Sequence, residues 1–171
     1  MQRVQGRDAS PGSQIVVRGK HNTGAKQCQC LDCFDIGVQL LGPLTQLLRY
    51  IWELPIIAIS QMHGHAIESG MILGLTCDLA VAADDAGFLW RPFGGAGMLW
   101  HPWPWTIGMR KTKEILLMGD YITSKEAAEM EMINKSVPPA ELEDEVMRMA
   151  RNVARRPREF NVLVNSPRRC V

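Results

Sequence analysis

Three cysteines at positions 28, 30 and 33, with His21 upstream, have thiolate spacing able to hold a zinc ion. A structural zinc site draws on paired Cys/His knuckles, and the second knuckle is missing here. The cysteines therefore read as free thiols in an irregular segment, and no metal is expected. His63 and His65 flank Gly64 on opposite faces if the preceding strand continues, which argues against joint ligation. Another histidine, His101, stands among Trp90, Trp100, Trp103 and Trp105, where a lone imidazole packs more often than it reacts. From Arg148 onward seven arginines face Glu159 alone, a local charge of +6 that could meet phosphates. Most of them fall in the last turns of one helix, where solvation and the helix dipole account for them, so RNA is not an expected partner. A sharper signal is the glycine-punctuated turn from Gly64 to Gly70 between two apolar runs.

The elements that would position this turn follow from periodicity. Ile15-Val16-Val17 is a β-branched run closed by Gly19. Val38, Leu40, Leu41, Leu44, Leu47, Leu48, Ile51 and Trp52 recur at helical spacing. Gly42-Pro43 bends that helix or sets its start, and Pro55 ends it. Ile56–Ile59 predicts a buried strand, Met71–Cys77 a helix and Leu79–Ala83 a second buried strand. Together they form a strand, turn, helix, strand unit with a right-handed crossover. Residues 89–106 predict a loop region with indole anchors. Lys111–Met118 and Ser124–Glu131 predict short helices, and Met132–Val137 a strand. Leu142, Val146, Met149 and Val153 then form a helical stripe, with acids in the first turns, arginines in the last, and Pro157 as the stop.

The chain has 171 residues, 46% of them hydrophobic and 22% charged, with a net charge of +1. That is the balance of a globular domain, with no global field toward nucleic acid or membrane. The most apolar region, Ala66–Ala83, is interrupted by Glu68 and Asp78, and falls short of the roughly 20 apolar residues that span a bilayer. The first fourteen residues lack the apolar stretch of a secretory leader and are expected to be disordered. Five cysteines, an odd number, fit a reducing compartment. The cytoplasm is expected, with the mitochondrial matrix as the alternative.

Trp52 to Asp78, with the Trp52-Glu-Leu-Pro-Ile opening and the Cys77-Asp78 close, resembles the enoyl-CoA hydratase/isomerase (crotonase) family. That family carries a strand, a G-x-A-x-G-G-G turn, a helix ending in C-D, and a strand leading to A-x-F. Gly64, Ala66, Gly70, Cys77, Asp78, Ala86 and Phe88 fall at matching spacing. Ile107–Ile122 is similar to the family's helix and T-G-D-x-I turn. Ser124–Ala128 and Met132–Pro138 are similar to its A-x-x-x-G-L-V-x-x-V-x-P stretch. The resemblance covers roughly residues 50–157.

It implies an α/β fold, a crotonase-like β-β-α spiral incomplete at both termini. The core would be residues 15–157 and residues 158–171 a basic C-terminal tail. It also implies chemistry on an acyl-CoA thioester through an enolate-like state whose oxyanion is held by two backbone N–H groups. On family spacing the helix-side donor is Ser69, where relatives carry Gly. A positive φ there would strain a non-glycine residue by about 1–3 kcal/mol. The other donor maps to Ala25, with Lys26 in place of the family's Asp. Ala66, Gly70 and Trp90 would line the substrate site, although anchoring the loop on the core is an equal reading of the tryptophans. No cofactor is implied, since coenzyme A is part of the substrate, and a trimer-type homo-oligomer is expected.

The two glutamates with which the hydratases move protons map to Ile72 and Pro92, and neither can do so. His101 is a possible substitute, and Glu68 reads as a surface carboxylate of the turn. Two functions follow. One is a family enzyme of acyl-CoA or fatty-acid metabolism. The other is a non-catalytic relative that keeps an acyl-CoA pocket or only an oligomer interface.

Overall fold

The computed structural model describes residues 15–18, 42–90 and 102–165. The zinc-spaced cysteines, Ala25, Pro92, His101 and the first fourteen residues lie outside them.

Four parallel strands form the main sheet: β1 (Ile15–Arg18), β2 (Ala58–Met62), β4 (Leu79–Ala83) and β7 (Lys135–Val137), side by side in that order. Ile59 pairs with Leu79 and Val81 with Lys135. Ile59 and Val81 are both fully buried, as expected of strands covered on both faces. A second sheet holds three short strands, β3 (His65–Ile67), β5 (Gly87–Leu89) and β6 (Tyr121–Thr123), in the order β3-β5-β6. Ala66, Phe88 and Ile122 lie across one another in this sheet and all three are buried.

Seven helices are described. The first is α1 (Gly42–Trp52), followed by α2 (Ser69–Thr76), α3 (Trp103–Thr106) and α4 (Gly108–Met118). After them come α5 (Ser124–Glu129), α6 (Leu142–Ala154) and α7 (Arg158–Asn165). Gly42-Pro43 sets the start of α1, because proline suits a helix's first turn. A capping box at Thr123 and Glu126 starts α5. The two acceptor bonds that Glu126 gains there hold its carboxyl below the usual carboxylate range.

Several boundaries differ from the sequence reading. The first core strand begins at Ala58 rather than Ile56, because the Asp78 carboxylate accepts the Ala58 N–H at 2.6 Å and the Ala58 carbonyl accepts the Asp78 N–H at 2.9 Å. This exchange fixes where the ladder starts and gives Asp78 a structural task. The Gly64–Gly70 turn contains strand β3, and the region expected as loop from residue 89 to 106 takes in the last residue of β5 and ends in helix α3. Residues 158–165 form helix α7, tied down by Asn165, whose amide donates to the carbonyls of Leu54 at 3.2 Å and Ile56 at 3.4 Å.

Polar side chains tie separate elements together. Asn134 accepts the Ala80 N–H at 2.7 Å. The fully buried Ser124 hydroxyl donates to Ser136, which donates to Asp84 at 2.7 Å. On the surface between β7 and α6, Glu145 contacts Lys135 at 2.8 Å and Arg148 at 2.7 Å. The Arg148 hydrogen bonds, then that from Lys135, pull the Glu145 carboxyl down to about 2.

Candidate active site

The site is built where β3 turns into α2. This helix packs against α1, β2, β3 and β4, and Met71, Ile72, Gly74, Leu75 and Thr76 are buried. A helix apolar on nearly all sides belongs inside a core, and burial begins at Met71, so the first two residues, Ser69 and Gly70, bring the positive end of the helix to the edge of that core. The fit is tight: a Cβ on Gly74 would come within 2.5 Å of Met62.

Parallel pairing of Ile67 with Leu89 brings the ends of β3 and β5 together. The Glu68 N–H donates to the Leu89 carbonyl at 3.0 Å, and the Ile72 N–H donates to the Glu68 carbonyl at 2.9 Å. Glu68 thereby closes the strand on one side and opens the helix on the other. Ser69, exposed, is the first residue of α2, and Gly70, half-buried, the second. Helix geometry leaves their N–H groups without an intrahelical acceptor.

The positive φ that would have strained Ser69 falls one residue earlier. Glu68 sits at φ 47° and ψ −111°, and Ser69 is already helical. The chain must reverse direction before the first helical residue, so the unusual dihedral belongs to position 68, the first of the three consecutive glycines in the family's turn. The motif itself carried the signal: of the three consecutive glycines that close it, at positions 68 to 70, this chain keeps only Gly70.

The other sequence-derived positions divide. Ala66 is buried on β3. Trp90 follows Leu89 next to the turn but is only 8% exposed, and meets Trp103 edge-on with ring centroids 5.8 Å apart. The indole thus anchors the chain beside the turn. Ile72, at the hydratases' first glutamate, is 2% exposed inside the hydrophobic core. A carboxylate there would have to ionise without water. Among the described residues no group of three or more His, Cys, Asp or Glu is placed to hold a metal, and no helix is long and apolar enough to cross a membrane.

A parallel sheet and a smaller second sheet, joined through a buried helix entered by a strained turn, define the crotonase architecture. The enoyl-CoA hydratase/isomerase family model matches residues 39–167, and the chain belongs to that family. A Mycobacterium tuberculosis protein named as a candidate enoyl-CoA hydratase, EchA13, is 37% identical over 111 residues, covering 63% of this chain and 35% of its own length. The crotonyl-CoA hydratase of Syntrophomonas wolfei is 32% identical over 147 residues, covering 81% and 54%. Human enoyl-CoA hydratase domain-containing protein 3, mitochondrial, is 29% identical over 128 residues, covering 70% and 41%. The chain thus spans about one third to one half of these relatives. The crystal structure of a probable enoyl-CoA hydratase from Mycobacterium smegmatis superposes with TM-score 0.76 at 28% identity, over 90% of this chain and 65% of that one.

Proposed function

We propose that this protein acts on an acyl-CoA thioester, stabilising an enolate-like state with main-chain N–H groups. Ser69 is the helix-side donor and Ala25 the second. The observation that carries the reading is the turn itself: the Ser69 amide opens a buried helix at the position the family uses, with Glu68 pinned to Leu89 just before it. Losing one such donor typically costs about 2.7–4 kcal/mol of transition-state stabilisation. Because the donor belongs to the backbone, replacing the family's glycine by Ser69 leaves it in place. Hydration of crotonyl-CoA, followed by loss of the conjugated thioester absorbance, tests the reading; the expected rate is far below that of a two-glutamate hydratase. A rate equal to such an enzyme would show that Ile72 and Pro92 are misassigned. Absence of calorimetric heat at millimolar acyl-CoA would remove the pocket altogether.

The burial of Ile72 favours a second reading, a family member that binds acyl-CoA without turning it over. Heat without turnover is its signature. In either role we place the protein in the cytoplasm or mitochondrial matrix, as a trimer-type homo-oligomer, and sedimentation of the full chain tests the assembly.

A further inference from the structure

Between α6, α7 and the main sheet lies a groove of about 470 Å³, within the size range of small-molecule sites. Ile57 and Leu79 line it from the entries to β2 and β4, Val153 from α6, and Phe160 and Val164 from α7. We propose that this groove binds an unbranched fatty carboxylate, its alkyl chain on these five side chains and its carboxylate on Arg156. The inference does not rest on the acyl-thioester reading above. The groove adjoins Asp78 and Leu79, beyond the C-terminal end of α2. That helix has eight residues and is therefore about 12 Å long, which separates the groove from the turn at Ser69.

Phe160 and Val164 stand one turn apart on α7 and are 53% and 56% exposed. Apolar surface thus meets water beside the half-buried Leu79 and Val153. Methylenes laid along it would cover it, and each one buried tightens binding about 4-fold. The Asn165 tether to the Leu54 and Ile56 carbonyls fixes α7 over the sheet, so the groove exists before any ligand arrives. Its polar lining is mostly engaged or neutral. The Asn161 amide donates to the Val153 carbonyl at 3.4 Å, the Asp78 carboxylate accepts the Ala58 N–H, and Asn152 carries no charge. Arg156 differs: it lies exposed in the turn from α6 to α7 and forms no ion pair with the described residues. The end of α6 and the start of α7 meet there with opposed dipoles. The side chains therefore set the sign of the turn, and Arg155, Arg156 and Arg158 outweigh Glu159. A guanidinium offers a planar fork that a carboxylate accepts through two parallel hydrogen bonds.

Calorimetric titration of the full chain with decanoate tests the site. Saturable heat with a Kd of about 1 mM or below is expected, weakening about 4-fold for each methylene removed. Decyltrimethylammonium, with the same chain and the opposite charge, should bind at least 10-fold more weakly. Arg156→Ala should weaken decanoate about 10-fold, and Val164→Asp should abolish saturable binding. Both side chains are exposed, so Tm should stay within about 2 °C of wild type. Arg151→Ala removes an equal charge from α6 outside the groove lining and should leave binding unchanged. Four results would each overturn the proposal: no saturable heat from decanoate, equal binding of decyltrimethylammonium, equal losses in Arg151→Ala and Arg156→Ala, or displacement of decanoate by millimolar butyryl-CoA.

Discussion

Among the described residues two glutamates stand at positive φ, and their surroundings differ. Glu68, at φ 47°, joins β3 to the buried helix α2; Glu131, at φ 62°, follows α5. Both occupy places where the family pattern has glycine. At Glu131 the purpose is local: its N–H donates to Ala128 at 3.1 Å, the N–H of Met132 returns to Ala127 at 2.8 Å, and the helix is closed. Glycine would do this better, and the glutamate costs about 1 kcal/mol. At Glu68 the same backbone peculiarity adjoins amides that have no intrahelical acceptor and a buried core. Left-handed strain by itself marks no chemistry; the groups placed beside it decide whether the side chain has work to do.

Four experiments break or sharpen this contrast. The largest effect is expected from Ile72→Glu, which restores the hydratases' acid one turn inside α2. With the site sealed, the variant should lose about 4 kcal/mol or more at pH 7. The loss should shrink in urea titrations at lower pH, because burial raises the folded carboxyl's pKa and the neutral acid is cheaper to bury. Wild-type stability would mean that the wall behind the turn is open. Next comes Asp78→Ala, which strips the 2.6 Å acceptor from the Ala58 amide and should cost about 2 kcal/mol. An unchanged denaturation midpoint would show that the start of β2 is held by packing and ladder bonds alone. Glu131→Gly should show a gain of about 1 kcal/mol in thermal unfolding, because it relieves a positive φ. A loss of stability would show that the Glu131 side chain holds more than the turn.

The smallest effect belongs to Glu145. Its folded pKa of about 2 lies below the unfolded value. Its contribution is therefore complete above the ordinary carboxylate pKa and is lost as pH falls toward 2. Lys135 and Arg148 are half exposed, so screening leaves about 0.5 kcal/mol. Glu145→Gln should differ from wild type by that much at pH 7 and merge with it near pH 2.

The fold was legible where periodicity runs long. The apolar run Leu79–Ala83 is β4 to the residue, and the Leu142–Val153 stripe is α6. The three-residue strands β3, β5 and β6 were not legible, since so short a stretch shows no alternation. Helix α7 lay hidden behind the arginines, because charge count hides the Asn165 tether that docks it. At the site, family spacing located the turn, and the position it gave to the first glutamate, Ile72, is buried in the core. It assigned the strain to Ser69 rather than Glu68, because a motif gives the order of residues but not which peptide must turn.

The main sheet has one more consequence. Its strands lie side by side in the order in which the chain reaches them, β1, β2, β4, β7. A chain growing from its N-terminus can therefore add each strand to an edge already waiting, without prising apart a finished pair. The last edge is covered only when Lys135–Val137 arrives, so a nascent chain halted before that point would hold β4 open to any passing strand.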